Sequence, residues 1–204
     1  MNSGRVFLVD DDASVLKALT RLLRETGFEV SAFQSSKDFL LHHDMRMPGC
    51  AVLDVGLGDC NGLDLHRTLA SNGYMRPTVF ITGRGDIPTG VQAMKSGAID
   101  FLTKPVQETD LIEAIRKAIE YDLRDREESA KVAATNKQLA SLTPREREVL
   151  ARVVAGRLNK QIAAELGISE KTIKVHRGRV MAKMSVRSVA DLVRIMEPDF
   201  ADAE

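Results

Sequence analysis

The chain has no tryptophan, two tyrosines, two cysteines and only 4% aromatic residues in a length of 204. Its core must therefore rest on Leu, Ile, Val, Met and Ala. Cys50 and Cys60 make no metal-type spacing, and two scattered thiols argue against a disulfide framework and fit a reducing compartment. Both read as small buried or loop residues. No apolar run approaches the roughly 20 residues needed to cross a bilayer. The opening Met1-Asn2-Ser3-Gly4-Arg5 leads straight into an apolar stretch without a signal-peptide layout. The expectation is a cytoplasmic protein with no membrane partner. At 44% hydrophobic and 28% charged residues it has the composition of an ordinary globular chain, which excludes wholesale disorder.

The formal net charge of zero conceals a polarity. Residues 1–120 carry 13 Lys+Arg against 16 Asp+Glu, a net of −3, whereas residues 141–196 carry 12 against 5, a net of +7. A basic compact segment after an acidic one points to a polyanionic partner for the second half.

The first 120 residues alternate strand and helix patterns. Apolar runs at 5–9, 28–33, 50–55, 78–82 and 98–103 read as strands. Helical spacing covers 15–23, 37–43, 63–71, 87–96 and 108–123. Five strands alternating with five helices predict an α/β fold with a doubly wound, five-stranded parallel sheet. Residues 121–140 are a mixed-charge run followed by Ser, Ala, Lys, Thr and Asn. They read as a polar helix or as a linker, and the linker is preferred because the apolar positions Leu123, Ala130 and Ala134 are too weak for a coiled coil. The last segment is all helix, at 145–155, 159–166, 170–184 and 186–196. It opens on the capping box Thr143-Pro144-Arg145-Glu146 and carries Gly156 and Gly167 at helix ends. Two short helices joined by a Gly-containing turn form a helix-turn-helix pattern.

Four apolar runs each end in one polar residue of a reactive type: Val9-Asp10-Asp11-Asp12, then Asp54, Thr82 and Lys104. In a parallel sheet the strand ends lie side by side, and open α/β sheets place their working sites at that edge. Paired carboxylates repel and need a counterion. Mg²⁺ (or Mn²⁺) suits Asp10, Asp11 and Asp54 because it is hard and prefers oxygen. A carboxylate beside such a cation can attack a phosphoryl group, with Lys104 as ammonium and Thr82 as hydroxyl donor. Asp12 is most simply the N-cap of the first helix. Phe101 reads as a core aromatic or as something more. His42, His43 and His66 belong to no cluster and are expected on the surface.

The third tail helix places Ile173, Val180 and Met184 on one stripe, facing a core. Lys171, Thr172, Lys174, Val175, Arg177, Arg179 and Lys183 are left for other faces. Such a helix fits the major groove of double-stranded DNA. The helix starts near Asn159 and Ser169, with Lys160, can meet phosphates. The bland alternative is a solvated basic face on a small bundle.

The set Asp10-Asp11, Asp54, Thr82 and Lys104-Pro105 resembles the receiver domain of two-component response regulators, over 3–122. That resemblance implies a flavodoxin-like fold with Asp54 as phosphoacceptor. Mg²⁺ would be held by Asp11, Asp54 and the Gly56 carbonyl, with Asp10 acting through water. Thr82 and Lys104 would sense the phosphoryl group, Phe101 would be a switch aromatic, and the Lys104-Pro105 bond would be cis.

The motifs 142–150 (Leu-Thr-Pro-Arg-Glu-Arg-Glu-Val-Leu), 159–163 (Asn-Lys-Gln-Ile-Ala) and 168–177 (Ile-Ser-Glu-Lys-Thr-Ile-Lys-Val-His-Arg) resemble the LuxR-type helix-turn-helix domain, placed at 141–197, with 123–140 between the two domains. The pair is similar to the NarL/FixJ family, and Thr82-Gly83-Arg84-Gly85-Asp86 is FixJ-like. The resemblance implies a transcription regulator rather than an enzyme. It would take a phosphoryl group from a histidine kinase and form a homodimer on activation, with the helix at 186–196 as one contact. Gly56-Leu57-Gly58-Asp59 stands where the family usually carries Met-Pro. Glycines there raise the freedom of the loop, so the Gly56 carbonyl is expected to be held less firmly. Two rival classes fit parts of the pattern: a Mg²⁺-dependent phosphohydrolase, which needs an acid two residues after Asp54 where Gly56 stands, and a regulator whose receiver is only a passive dimer module.

Overall fold

The computed structural model describes residues 4–44, 46–71, 76–83 and 87–196. The chain divides into two compact units, residues 1–127 and 128–204. Strands β1 (Arg5–Val9), β2 (Glu29–Phe33), β3 (Gly49–Asp54), β4 (Thr78–Thr82) and β5 (Asp100–Thr103) alternate with α1 (Ala13–Glu25), α2 (Ser36–His42), α3 (Gly62–Ser71) and α4 (Ile87–Lys95), before α5 (Glu108–Ala140). The strands form one parallel sheet in the order β2-β1-β3-β4-β5.

Strand residues alternate between two apolar layers, as a period of two requires. Val6, Leu8, Cys50, Val52, Val79 and Ile81 face α1 and α5, meeting Leu16, Leu23, Leu111, Ile115 and Ile119. Phe7, Val9, Ala51, Leu53 and Phe80 face the other way, meeting Phe39 of α2, Leu63, Leu65 and Leu69 of α3 and Ala93 of α4. β3 and β4 are buried along their whole length, which is why they read as unbroken apolar runs. Burial pushes the Cys50 thiol up to about 12, so it stays protonated.

The first unit carries a buried polar knot. Asp122 of α5 accepts hydrogen bonds from the Gly49 N–H at 2.8 Å and from Arg126 Nε at 2.7 Å. Arg76 is buried with its guanidinium 4.1 Å from the Phe7 ring centre, and donates to the Asp44 and Met47 carbonyls. Two histidines are not where they were expected. His66 is buried, with Nε2 donating to the Ser96 carbonyl at 3.0 Å and Nδ1 3.1 Å from the Thr78 hydroxyl. Helix α3 turns this residue towards the sheet, and the polar partners lie 12 and 30 residues away, where no local spacing reveals them. His43 is half-buried and stacked on Phe39, ring centres 4.5 Å apart. His42 is exposed beside Asp38.

Residues 123–140 do not form a loose linker. They continue α5 as helix, mostly exposed. The stretch has no Gly or Pro and is rich in Ala, Glu, Lys, Arg and Gln, all good helix formers. The packed turns before it remove the nucleation cost that an isolated helix would meet. An apolar stripe is therefore not required.

In the second unit α6 (Pro144–Val154), α7 (Asn159–Leu166), α8 (Glu170–Lys183) and α9 (Val189–Met196) enclose Leu142, Val149, Leu150, Val153, Ile162, Ile173, Val180, Met184 and Leu192. The capping box forms as the sequence predicts: Glu146 N–H donates to Thr143 Oγ1 and Thr143 N–H to Glu146 Oε2. Gly156 and Gly167 both have positive φ, 74° and 64°, which favours glycine at these helix ends. Lys183, expected to be available outward, instead donates to Glu146 at 2.7 Å and to the Ser141 carbonyl at 2.9 Å. Among the described residues no helix is long and apolar enough to cross a membrane.

Two predictions follow from these buried charges. Asp122→Ala strips a carboxylate from the Gly49 amide and Arg126, and should destabilise the first unit by about 3 kcal/mol, measured by urea denaturation of the full chain. A loss under about 0.5 kcal/mol, the range of surface substitutions, would contradict the account. Hydrogen bonds from Lys183 and Thr143 hold the Glu146 carboxyl down at about 2, below its ordinary 4.5. Its stabilisation is thus full above pH 4.5 and fades as the pH falls towards 2. Scanning calorimetry of Glu146→Gln should show a lower melting temperature at neutral pH and a shallower fall across that acid window than wild type.

Candidate functional site

Strand register decides which remote residues meet. Val9 pairs with Leu53, Asp54 with Ile81, and Thr82 with Thr103. Asp10 therefore leaves β1 beside Asp54, and Lys104 leaves β5 one residue past the partner of Thr82. The strand order reverses between β1 and β3, and the connections leaving such a point part to open a crevice. Asp10, Asp11, Asp54, Gly56, Thr82 and Lys104 all line one open pocket of about 550 Å³, together with Asp12, Val55, Asn61, Gly83 and Thr89.

At the centre the Lys104 ammonium lies 2.7 Å from Asp10 Oδ2 and 2.9 Å from Asp54 Oδ1. Asp10 is fully buried, and its Oδ1 accepts the Asp12 N–H at 3.0 Å. Asp54 is nearly buried, and its Oδ2 accepts the Gly56 N–H at 2.8 Å. Burial pushes the Asp10 carboxyl above the ordinary aspartate value, further than the hydrogen bonds from Lys104 and Asp12 draw it down. Burial also draws Lys104 down, but its hydrogen bonds to Asp10 and Asp54 outweigh that and the net shift is upward. The lysine therefore stays charged at neutral pH. Asp12 caps α1, accepting from the Ser14 and Val15 amides, which hold it below its ordinary value.

Among the described residues no three acidic, His or Cys side chains form a closed metal cluster. Two of the three carboxylates are engaged by Lys104, and Asp11 is exposed across the pocket. This donor set is all oxygen and open to solvent. It fits a hard cation that keeps several waters and takes one or two direct carboxylates, which is the habit of Mg²⁺.

The loop after Asp54 is better held than its glycines suggest. Leu57 is buried in the apolar layer with Phe33 and Phe39. Asp59 accepts from the Ser36 hydroxyl at 2.7 Å, the Ser36 N–H at 3.2 Å and the Lys37 N–H at 3.4 Å. No sequence signal pointed to Asp59, since its partner lies 23 residues away. Asn61 accepts the Leu63 N–H at 2.8 Å to start α3. Gly62 is required by close approach, because a Cβ there would sit 2.2 Å from the Asp54 carbonyl oxygen. Phe101 is half-buried on β5, its ring against Gly90 of α4. The Lys104–Pro105 peptide bond is cis.

In the second unit Ser169 caps α8, accepting the Thr172 N–H at 3.1 Å. Lys171, Thr172, Lys174, Val175 and Arg179 are exposed on α8, and Lys160 is exposed on α7. Asn159 and Arg177 are half-buried and bonded to each other, Arg177 Nη1 donating to Asn159 Oδ1 at 2.9 Å. They tie α7 to α8, so their heads are less available than those of their neighbours. Of the loop at 82–86, Arg84, Gly85 and Asp86 lie outside the described residues, as do Ser3 and Glu197 at the expected domain ends.

Comparison with known proteins matches residues 6–116 to the response regulator receiver domain and residues 140–196 to the bacterial regulatory proteins of the luxR family. The response regulator protein TmoT of Ectopseudomonas mendocina is 46% identical over 94% of this chain and 87% of its own. The transcriptional regulatory protein FixJ of Rhizobium meliloti is 40% identical over 96% of both chains. The solved response regulator StyR is 44% identical, with a TM-score of 0.89 over 95% of this chain and 98% of its own. With a receiver fold, an acidic rim bridged by lysine and a basic helix-turn-helix unit, this chain belongs to the response regulator family, as a FixJ-like transcription regulator with a LuxR-type DNA-binding domain.

Proposed function

We propose that Asp54 is the phosphoacceptor of this regulator and that phosphorylation controls its hold on DNA. The observation that carries the reading is the Lys104 ammonium bridging Asp10 and Asp54 at 2.7 and 2.9 Å. A carboxylate at a strand end, paired to a cation and open to a pocket, is placed to receive a phosphoryl group. An Asp54 carboxylate oxygen attacks the phosphorus of a histidine kinase's phosphohistidine. The P–N bond breaks, the electron pair leaves with the imidazole, and an acyl phosphate remains on Asp54. Asp11, Asp54 and the Gly56 carbonyl would hold Mg²⁺ or Mn²⁺, with Asp10 acting through water. When bound, that cation supplies neutralising charge for the phosphoryl oxygens. Lys104 follows the new negative charge. The Thr82 hydroxyl donates to a phosphoryl oxygen, and Phe101, on the strand paired with that of Thr82, shifts with it.

The output unit uses α8. Lys171, Thr172, Lys174, Val175 and Arg179 enter the major groove, while Lys160 and the α7 and α8 starts near Asn159 and Ser169 meet phosphates. Arg177 supports this surface through Asn159. Activation favours a homodimer, with α9 as one contact, and two linked tails gain avidity on paired half-sites. All of this belongs in the cytoplasm, where a kinase and a promoter are both within reach.

Incubation with acetyl phosphate and Mg²⁺ should yield a phosphorylated species from the wild type and none from Asp54→Asn, read by intact mass. Equal labelling of the variant would remove Asp54 from the role. For the output unit, Lys174→Ala should weaken binding to a random-sequence duplex and reduce the slope of log K against log salt by about 1. An unchanged slope would take Lys174 off the DNA.

A further inference from the structure

Between Asp54 and α3 runs a loop with two glycines and no proline, Gly56-Leu57-Gly58-Asp59. Glycine-rich backbone loses more conformational freedom on ordering than other backbone, so the loop holds a fixed path only if something outside it supplies the restraint. Two features do so: burial of one side chain in an apolar layer, and hydrogen bonds to the start of α2. Leu57 is buried in the layer that contains Phe39. The Asp59 carboxylate spans the first turn of α2, taking the Ser36 hydroxyl and N–H and the Lys37 N–H. That helix has its own cap already, since Ser35 accepts the Asp38 N–H. Ser36 is itself buried, although it is a polar residue at a helix start. Its hydroxyl finds its partner in Asp59 at 2.7 Å.

Gly56, at the start of the restrained stretch, also lines the acidic pocket. Gly56 donates its N–H to Asp54 Oδ2 at 2.8 Å, so the loop path and the acceptor carboxylate are coupled. On the facing side, a Cβ at Gly58 would come to 3.1 Å from Asp11 Oδ2. The main chain at 58 therefore lies close against the Asp11 carboxylate. A small displacement of the loop would alter both the reach of the Gly56 carbonyl and the space left for Asp11.

We infer that Asp59 and Ser36 form a clasp that positions the 56–58 loop for cation binding between Asp11 and Asp54, making α2 part of the metal site without touching the metal. The inference rests on the cation site set out under Proposed function. Asp59 and Ser36 are positioning residues, and their effect passes through the loop backbone.

The test uses the full chain with Asp59→Ala, Ser36→Ala and Ser36→Thr, and Mn²⁺ alone as the probe, titrated by its free-ion paramagnetic resonance signal. Amide hydrogen exchange at 55–59 is read on the metal-free protein. The clasp predicts about tenfold faster exchange at 55–59 in Asp59→Ala and Ser36→Ala and Mn²⁺ affinity about tenfold weaker, as for groups that hold metal ligands in place. Ser36→Thr, which keeps the hydroxyl, should restore both. Faster exchange confined to 36–42, with Mn²⁺ affinity at the wild-type level, would mean that Asp59 only caps α2, and would overturn the clasp. The Asp54→Asn variant separates the two claims. If the wild type itself binds no more Mn²⁺ than this variant, the cation site is wrong. Unchanged exchange at 55–59 in Asp59→Ala would then sink the clasp on its own account.

Discussion

The receiver unit is organised around one electrostatic constraint: Asp10 and Asp54 leave neighbouring strands with their carboxylates side by side, and Lys104 lies between them. At an effective dielectric near 20, two unit charges about 4 Å apart interact by about 4 kcal/mol. Without a cation this rim would therefore oppose the close pairing of β1 and β3. Asp10 is fully buried and burial pushes its carboxyl upward, so its charged form leans on the hydrogen bonds from Lys104 and the Asp12 N–H. Among the described residues it is Lys104 that balances the two carboxylates.

Around that centre the fold supplies rigidity in layers. Unbroken burial of β3 and β4 fixes where Asp54 and Thr82 emerge. Behind the sheet, Asp122 anchors the Gly49 amide at the start of β3 and grips Arg126 farther along α5. The same helix then continues through residues that make few apolar contacts. One element thus carries both the buried anchor of the acidic unit and the exposed extension. In the basic unit, Lys183 is spent on Glu146 and Arg177 on Asn159. Lys171, Lys174 and Arg179 remain exposed on α8.

The sequence disclosed the parts whose cause is local or periodic. Alternation and helical spacing mark the strands and helices because those signals repeat within a few residues. The Asp12 cap, the Thr143–Glu146 box and the glycines at 156 and 167 were legible for the same reason. Asp10, Asp54, Thr82 and Lys104 were visible because each ends an apolar run, and strand ends of a parallel sheet must share an edge. The misreadings had long-range causes. His66 looked like a surface residue because its partners Thr78 and Ser96 sit on other elements. For residues 123–140 the sequence leaves a polar helix and a linker both open, and propensity with a packed neighbour selects the helix. Asp59 carried no signal at all.

What the sequence by itself determined is the list of elements, the separation of an acidic α/β unit from a basic helical one, and the set of reactive side chains at strand ends. Periodicity, capping chemistry and charge are written in neighbouring residues, so no fold is needed to see them. Only the tertiary structure decided the pairings. Register set Asp10 beside Asp54, a residue from 23 positions away tied down the glycine loop, and burial chose which basic side chains turn inward. These contacts join residues far apart along the chain, and their energies exist only once the backbone has closed the distance.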